Sequence, residues 1–277
     1  MNASQVKQAH YSIQVSNDEQ FNGHLVLVNQ QHPVRKKAKQ LIAVDTFPSI
    51  KQIDKGMKLE KTCLEQLHLL LQACGGIDDI VAVSGYRTKK EQTQIYNDSL
   101  IERGAAYTSK YVAWPGHSEH QTGLAIDVGR LKATLDFIAP AFPDTGIYKS
   151  FRQHAADYGF ILRYKREKQS ITRIAYEPWH FRYVGYPHAK LMEQHDLCLE
   201  EYIDFVQHYR YDGEQLVVQE KHATTSIYYV PAEEGSHTEI PILQSDVYRV
   251  SGNNRDGFIV TVMTKHQEKL PGVRGNM

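Results

Sequence analysis

The chain has 277 residues, 41% of them hydrophobic, with 32 basic and 32 acidic side chains. That length suits one large domain, or a domain with an appendage, and the composition is that of an ordinary globular protein. A formal charge of zero gives no support for binding nucleic acid or an anionic membrane surface, and no apolar run approaches the roughly 18 residues that a membrane span requires.

Residues 1–20 are polar and read as a poorly ordered lead. They also lack the apolar centre of a signal peptide. HLVLVNQQHP (24–33) reads as a short apolar strand closed by proline, and LIAVDTFPSI (41–50) as a similar one. The basic run Arg35, Lys36, Lys37 and Lys39 reads as a solvated loop. From Leu59 the period becomes helical, with Leu59, Cys63, Leu67, Leu70, Leu71 and Cys74 on one face and Gly75-Gly76 as the stop. Cys63 and Cys74 would lie about 16 Å apart along that helix, too far for a disulfide. With Cys198 as the third cysteine and no C-x-x-C pattern, all three read as buried thiols.

IVAVSGYR (80–87) reads as a buried strand ending in a turn, and residues 88–104 as an amphipathic helix ended by Gly104. Further on, YKSFRQHAAD reads as helical, and residues 172–194 as strand, turn, strand and helix, continuing into LCLEEYIDFVQHY. Beyond about 212 short β-type runs (QLVVQ, SIYYVPA, DVYRVSG, GFIVTVM) alternate with Gly, Asn and Pro. The whole is α+β, divided into a polar lead (1–20), a main domain (21–205) and a C-terminal β-rich appendage (206–277).

Three stretches carry chemistry. In PGHSEHQTGLAIDVG (115–129), alternation places Leu124, Ile126 and Val128 on one face of a strand and Ala125 with Asp127 on the other. A carboxylate in so apolar a strand calls for a compensating metal or guanidinium; a turn cap ahead of Gly129 is the plainer alternative. His117 and His120 both stand within reach as partners, and spacing alone does not choose between them. In Glu177-Pro-Trp-His180, proline excludes a helix interior, and a continuous strand would face Glu177 and His180 oppositely. A turn at Pro178-Trp179 would let them serve one site, as ligand and as base. Third, Arg87 at the end of SGYR (84–87) could anchor a carboxylate or stabilise an oxyanion, or simply open the next helix.

Ser118, His120, Gly123, Ala125 and Asp127 spell S-x-H-x-x-G-x-A-x-D, with SGYR before and EPWH after. This set closely resembles the VanY-type D-alanyl-D-alanine carboxypeptidases, a zinc peptidase family that includes the VanX dipeptidases and shares its fold with the hedgehog signalling domain. The likeness runs from about Leu25 to Ile203. It implies a central antiparallel sheet flanked by helices, one Zn²⁺ held by His120, Asp127 and His180, Glu177 as catalytic base, and Arg87 at the reacting carbonyl oxygen. Ser118, Gln92, Ser84 and Trp179 fall on positions lining the substrate pocket.

The implied activity is removal of the terminal D-Ala from peptidoglycan stem peptides or precursors ending in D-Ala-D-Ala. An L,D-carboxypeptidase or a D,D-dipeptidase would use the same residues, and a non-catalytic wall-binding module is the rival from another class. A cross-linking wall substrate implies an extracytoplasmic enzyme whose leader or anchor lies outside this sequence; a cytoplasmic enzyme trimming precursors is the alternative.

Overall fold

Strand β1 (Ala9–Ser16) pairs antiparallel with the strand at His237–Leu243, so that Ile13 lies opposite Ile240. This corrects the reading of residues 9–20 as part of a poorly ordered lead, while residues 1–8 lie outside the described residues. The polarity of β1 conceals a two-residue alternation, and Ile13 and Val15 pack on an apolar cluster that includes Ile240, Ile242 and Phe258. The computed structural model describes residues 9–131, 136–245 and 247–266. The chain forms two units, Leu27–Tyr202 and a terminal unit in which Met1–Val26 joins Ile203–Met277.

Within Leu27–Tyr202, strand β2 (Leu41–Ala43) pairs with β4 (Lys58–Glu60), and between them lies β3 (Lys51–Gln52). Helix α1 (Lys61–Ala73) follows, and each of the six residues expected on its apolar face, from Leu59 to Cys74, is buried. Next come β5 (Ile80–Ser84) and α2 (Lys89–Arg103). Thr88 starts α2 with a capping box, its hydroxyl accepting from Glu91 N (3.2 Å) while the Glu91 carboxylate accepts from Thr88 N (2.7 Å). Then follow α3 (Ala105–Tyr111), β6 (Ala125–Arg130), α4 (Gly146–Ala155), β7 (Phe160–Leu162), the short α5 (Gln169–Thr172), β8 (His180–Tyr183) and α6 (His188–Gln194).

The five-stranded sheet has the order β3-β5-β6-β8-β7. It is antiparallel except at its edge, where β3 runs parallel to β5. The expectation of an antiparallel sheet is therefore corrected at β3: β4 and α1 form a crossover between β3 and β5, and a crossover is what permits parallel pairing. Two further expectations change. Leu25–Val28 are buried but form no strand, and 172–177 is the end of α5 followed by irregular chain, so β8 has no strand partner immediately before it.

Alternation along β8 separates its two jobs. Phe181 is fully buried against Phe142 and Phe151 in edge-to-face contacts at 5.8 and 4.9 Å, while His180 and Arg182 face the other way. Helix α7 (Leu199–Val206) follows α6 in the chain. In the terminal unit, β9 (Leu216–Gln219), β10 (Ala223–Pro231), β12 (Val247–Gly252) and β13 (Gly257–Lys265) form a sheet ordered β12-β13-β10-β9, and β11 (His237–Leu243) pairs with β1. Sequence reading missed β11, whose Pro241 interrupts an otherwise clear pattern. No helix among the described residues is long and apolar enough to cross a membrane.

Candidate metal centre

The strand register builds most of the site. Asp127 on β6 lies directly opposite His180 on β8 and opposite Ser84 on β5, where an irregularity between Ala82 and Ser84 shifts the pairing. Residues paired across neighbouring strands share a face, so a one-residue slip would carry Asp127 or His180 to the Phe181 side. His120 comes from a 3-10 turn (Glu119–Thr122) that precedes β6. Gly123 closes the turn at φ +76, a left-handed conformation, and a Cβ there would stand 2.7 Å from the Leu41 side chain. Glycine is what lets the turn fold back on the strand.

His120, Asp127 and His180 are all buried, and each offers one ligand atom within 4.8 Å of the others. The Asp127 carboxylate stands 3.2 Å from His120 Nε2 through Oδ2 and 2.9 Å from His180 Nδ1 through Oδ1. The outer nitrogens are already committed. His120 Nδ1 donates to the Gly85 carbonyl (2.7 Å), and His180 Nε2 donates to Glu119 Oε2 (3.3 Å). A carbonyl oxygen and a carboxylate can only accept, so each ring can turn a lone pair toward Asp127. A tetrahedral ion with bonds of about 2.0–2.2 Å places its ligand atoms roughly 3.4 Å apart, close to the two separations found here. The donor set thus fits a metal ion.

The turn foreseen at Pro178-Trp179 forms, with His180 N donating to Glu177 O (3.2 Å). It brings Glu177 Oε2 to 3.9 Å from His180 Nδ1. Burial raises the Glu177 carboxyl to about 8. His120 falls to about 4, mainly through burial and then the Arg87 charge. His180 behaves oppositely: burial opposes its charged form, but hydrogen bonds to Asp127 and Glu119 outweigh it and raise the ring to about 9. Burial would also raise Asp127, yet the two histidines hold its carboxyl well below the usual range.

Arg87 reaches the same carboxylate. Its Nη2 donates to Asp127 Oδ2 at 3.4 Å, its Nη1 to Gln92 Oε1 at 3.2 Å, and its Nε is buried without a hydrogen-bond partner. Gln92 also donates to the Ala113 carbonyl (2.8 Å), so both ends of its amide are occupied and it steadies Arg87. Ser84, Arg87, Gln92, Ser118 and Trp179 line one cavity of about 740 Å³ with His120, Asp127, Glu177 and His180. His117 is not among the lining residues; its Nδ1 lies 2.8 Å from the Asn29 carbonyl. The three cysteines are free and buried, as expected.

Sequence reading passed over Glu119, Tyr164, Arg163 and Arg182. Glu119 stands beside His120 in the motif, and its alternation signal was lost because it sits on a turn. Tyr164 lines the cavity, with its ring centroid 4.9 Å from that of His180.

The D-alanyl-D-alanine carboxypeptidase family VanY matches residues 56–186. The bifunctional D-Ala-D-Ala dipeptidase and D-Ala-D-Ala carboxypeptidase VanXYC of Enterococcus gallinarum is 45% identical over 183 residues, 66% of this chain and 94% of that protein. A D-alanyl-D-alanine carboxypeptidase of Enterococcus faecium is 31% identical over 257 residues, 90% of this chain and 78% of that one. Among solved structures, the vancomycin resistance D,D-dipeptidase VanXYg in complex with a D-Ala-D-Ala phosphinate analogue aligns with a TM-score of 0.86 at 44% identity, covering 91% of this chain and 98% of that one. With its buried His-Asp-His group, its EPWH turn and relatives this similar over most of their length, the chain belongs to the VanY family of D-alanyl-D-alanine carboxypeptidases.

Proposed function

We propose that the protein is a zinc-dependent D,D-carboxypeptidase that removes the terminal D-Ala from peptidoglycan stem peptides or precursors. The observation that carries this reading is the convergence of His120, Asp127 and His180 on one buried point, with the Glu177 carboxylate beside them in a substrate-sized cavity. His120 Nε2, His180 Nδ1 and Asp127 would hold one Zn²⁺. Bound there, the ion supplies Lewis-acid polarisation of the scissile carbonyl and acidifies the attacking water. Glu177 takes the proton of that water and delivers it to the departing D-Ala amine, acting as base and then as acid. Burial alone would keep Glu177 protonated; the charge of a bound ion beside it would lower its pKa and free the carboxylate to act as base.

Arg87 meets the negative charge developing on the carbonyl oxygen, and its unpartnered buried Nε supports a role as donor. Ser84, Ser118 and Trp179 border the bound peptide. The cavity lies within the roughly 300–1,000 Å³ of small-ligand sites, more than a free dipeptide fills, which supports acceptance of a longer acyl chain. The relation to a bifunctional enzyme favours one second reading, hydrolysis of free D-Ala-D-Ala by the same residues. Action on stem peptides of the assembled wall would place the enzyme on the outer side of the membrane, and trimming of precursors would place it in the cytoplasm.

The test is D-Ala release from a synthetic stem pentapeptide ending in D-Ala-D-Ala, run beside the tetrapeptide and free D-Ala-D-Ala. Cleavage of the pentapeptide should stop with a chelator, return with zinc, and fall by about 10²–10⁴ in Glu177→Gln, the usual contribution of a general base. Release of D-Ala from the tetrapeptide alone would overturn the D,D assignment, and Glu177→Gln at full rate would remove Glu177 from its role.

A further inference from the structure

Glu119 is one of the most enclosed charges in the chain, and its two oxygens face different partners. Oε1 accepts from Arg163 Nε and from Arg182 Nη1, each at 2.8 Å. Oε2 accepts from His180 Nε2 at 3.3 Å. The side chains of Glu119, Arg163 and Arg182 are all 0% exposed. Arg163 turns the rest of its guanidinium to Glu200 in a forked pair, Nη1 to Oε2 at 2.9 Å and Nη2 to Oε1 at 2.7 Å, and Asn29 Nδ2 donates to the same carboxylate at 3.2 Å. Glu119, Glu200, Arg163 and Arg182 carry two negative and two positive charges, so the quartet is neutral as a group. A buried quartet of this kind is a poor source of stability, because apolar residues of the same volume usually do as well. What it achieves here is direction: two arginines hold one oxygen of Glu119 and leave the other aimed at the outer nitrogen of His180.

The same arginine also fixes the face of that histidine. The Arg163 guanidinium lies 5.0 Å over the Tyr164 ring, and that ring lies 4.9 Å from His180. His180 is thereby held at Nε2 and on one ring face by groups that all trace back to Arg163.

We propose that Glu119 is a positioning residue for the metal centre: braced by Arg163 and Arg182, it keeps the proton of His180 on Nε2 and presents the Nδ1 lone pair to the ion. This rests on the zinc reading above. His120 has the opposite arrangement, Nδ1 tied to the Gly85 carbonyl and Nε2 inward, so the two histidines must occupy opposite tautomers. A carboxylate behind a ligating histidine raises its basicity and orients it, and losing such a partner costs about 10–100-fold in metal affinity.

The experiment reads zinc affinity and tautomer, neither of which needs turnover. Glu119→Gln alone would leave two buried arginines undercompensated and could unfold the protein. The informative pair is therefore Arg182→Met against Glu119→Gln/Arg182→Met, which removes one charge of each sign. Competition against a chromophoric chelator should show the double variant binding zinc about 10–100-fold more weakly than Arg182→Met; equal affinities would overturn the proposal. Should the double variant not fold, ¹⁵N spectra of the zinc-loaded wild type decide the matter. They should show His180 protonated at Nε2 and His120 at Nδ1, and His180 protonated at Nδ1 would overturn it. If the wild type binds zinc in this way but cleaves no peptide, the functional reading fails while this one stands.

Discussion

In the metal-free protein, the stability of the 27–202 unit should fall steeply between pH 6.5 and pH 9. Three buried groups set the slope. Glu177 is raised from 4.5 to about 8, chiefly by burial. His180 is raised from 6.5 to about 9, its hydrogen bonds to Asp127 and Glu119 outweighing burial. His120 is lowered from 6.5 to about 4, chiefly by burial. Between pH 4.5 and 8 folded Glu177 binds a proton that the unfolded chain has released, so stability falls as pH rises. The His180 contribution is fully present below 6.5 and is lost as pH rises through about 9. His120 has the opposite sign, but it acts only between about 4 and 6.5, where it offsets Glu177. Above 6.5 nothing offsets the other two. Glu177 acts up to about 8 and His180 up to about 9, roughly four pH units between them at about 1.4 kcal/mol each, or about 5 kcal/mol. The two groups are close enough to titrate together, which redistributes the protons without altering their total. Glu177→Gln has no such proton and should shrink the fall to about 3 kcal/mol. Urea unfolding of chelated protein measures this through tryptophan fluorescence, since Trp114 and Trp179, the chain's two tryptophans, both lie in this unit. The reasoning is refuted if metal-free wild type loses under about 1 kcal/mol over the window, or if Glu177→Gln falls as steeply as wild type.

The remaining predictions concern backbone. Gly85→Ala would set a Cβ 2.6 Å from the Lys58 carbonyl oxygen and 2.9 Å from Met57 Cγ. The shift this forces would cost about 1–3 kcal/mol and move the carbonyl that holds His120; zinc affinity by chelator competition should fall about 10-fold or more. Removing residues 1–16 deprives β11 of its partner strand and uncovers Ile240 and Ile242. Limited proteolysis should then cut within 203–277 far faster than in the full chain, and an unchanged rate would show that β1 adds nothing to the fold.

The helices α1 and α2 were legible because a 3.6-residue period and explicit stops need no tertiary information. The site was legible in a different way: residue by residue, Asp127 reads equally as a turn cap, His117 competes with His120, and Glu177 and His180 meet only if Pro178-Trp179 turns, so it was the motif shared with a known family that singled out the set. What escaped depends on long-range pairing. β1 and β11 lie more than two hundred residues apart, and each looks too polar, or too interrupted by proline, to be a strand until the other is supplied. The parallel edge at β3 is only two residues long. Conversely, Leu25–Val28 looked like a strand from apolarity alone, and burial without pairing satisfied the same pattern.

Glu119, Arg163 and Arg182 were illegible for a different reason, and it bears on how such a site is built. Buried charges are costly singly and tolerable only as a group, so none of the three has meaning until the other two are placed. Arg163 and Arg182 sit just after β7 and within β8, among aromatic and apolar neighbours in which an arginine reads as a surface residue that snorkels out. The fold instead turns both inward, where they compensate Glu119 and leave one oxygen for His180. Ligands can be recognised as a motif because one ion fixes their spacing. The residues that orient them answer to the sheet register, and they become visible only when Asp127 and His180 are seen facing each other across β6 and β8.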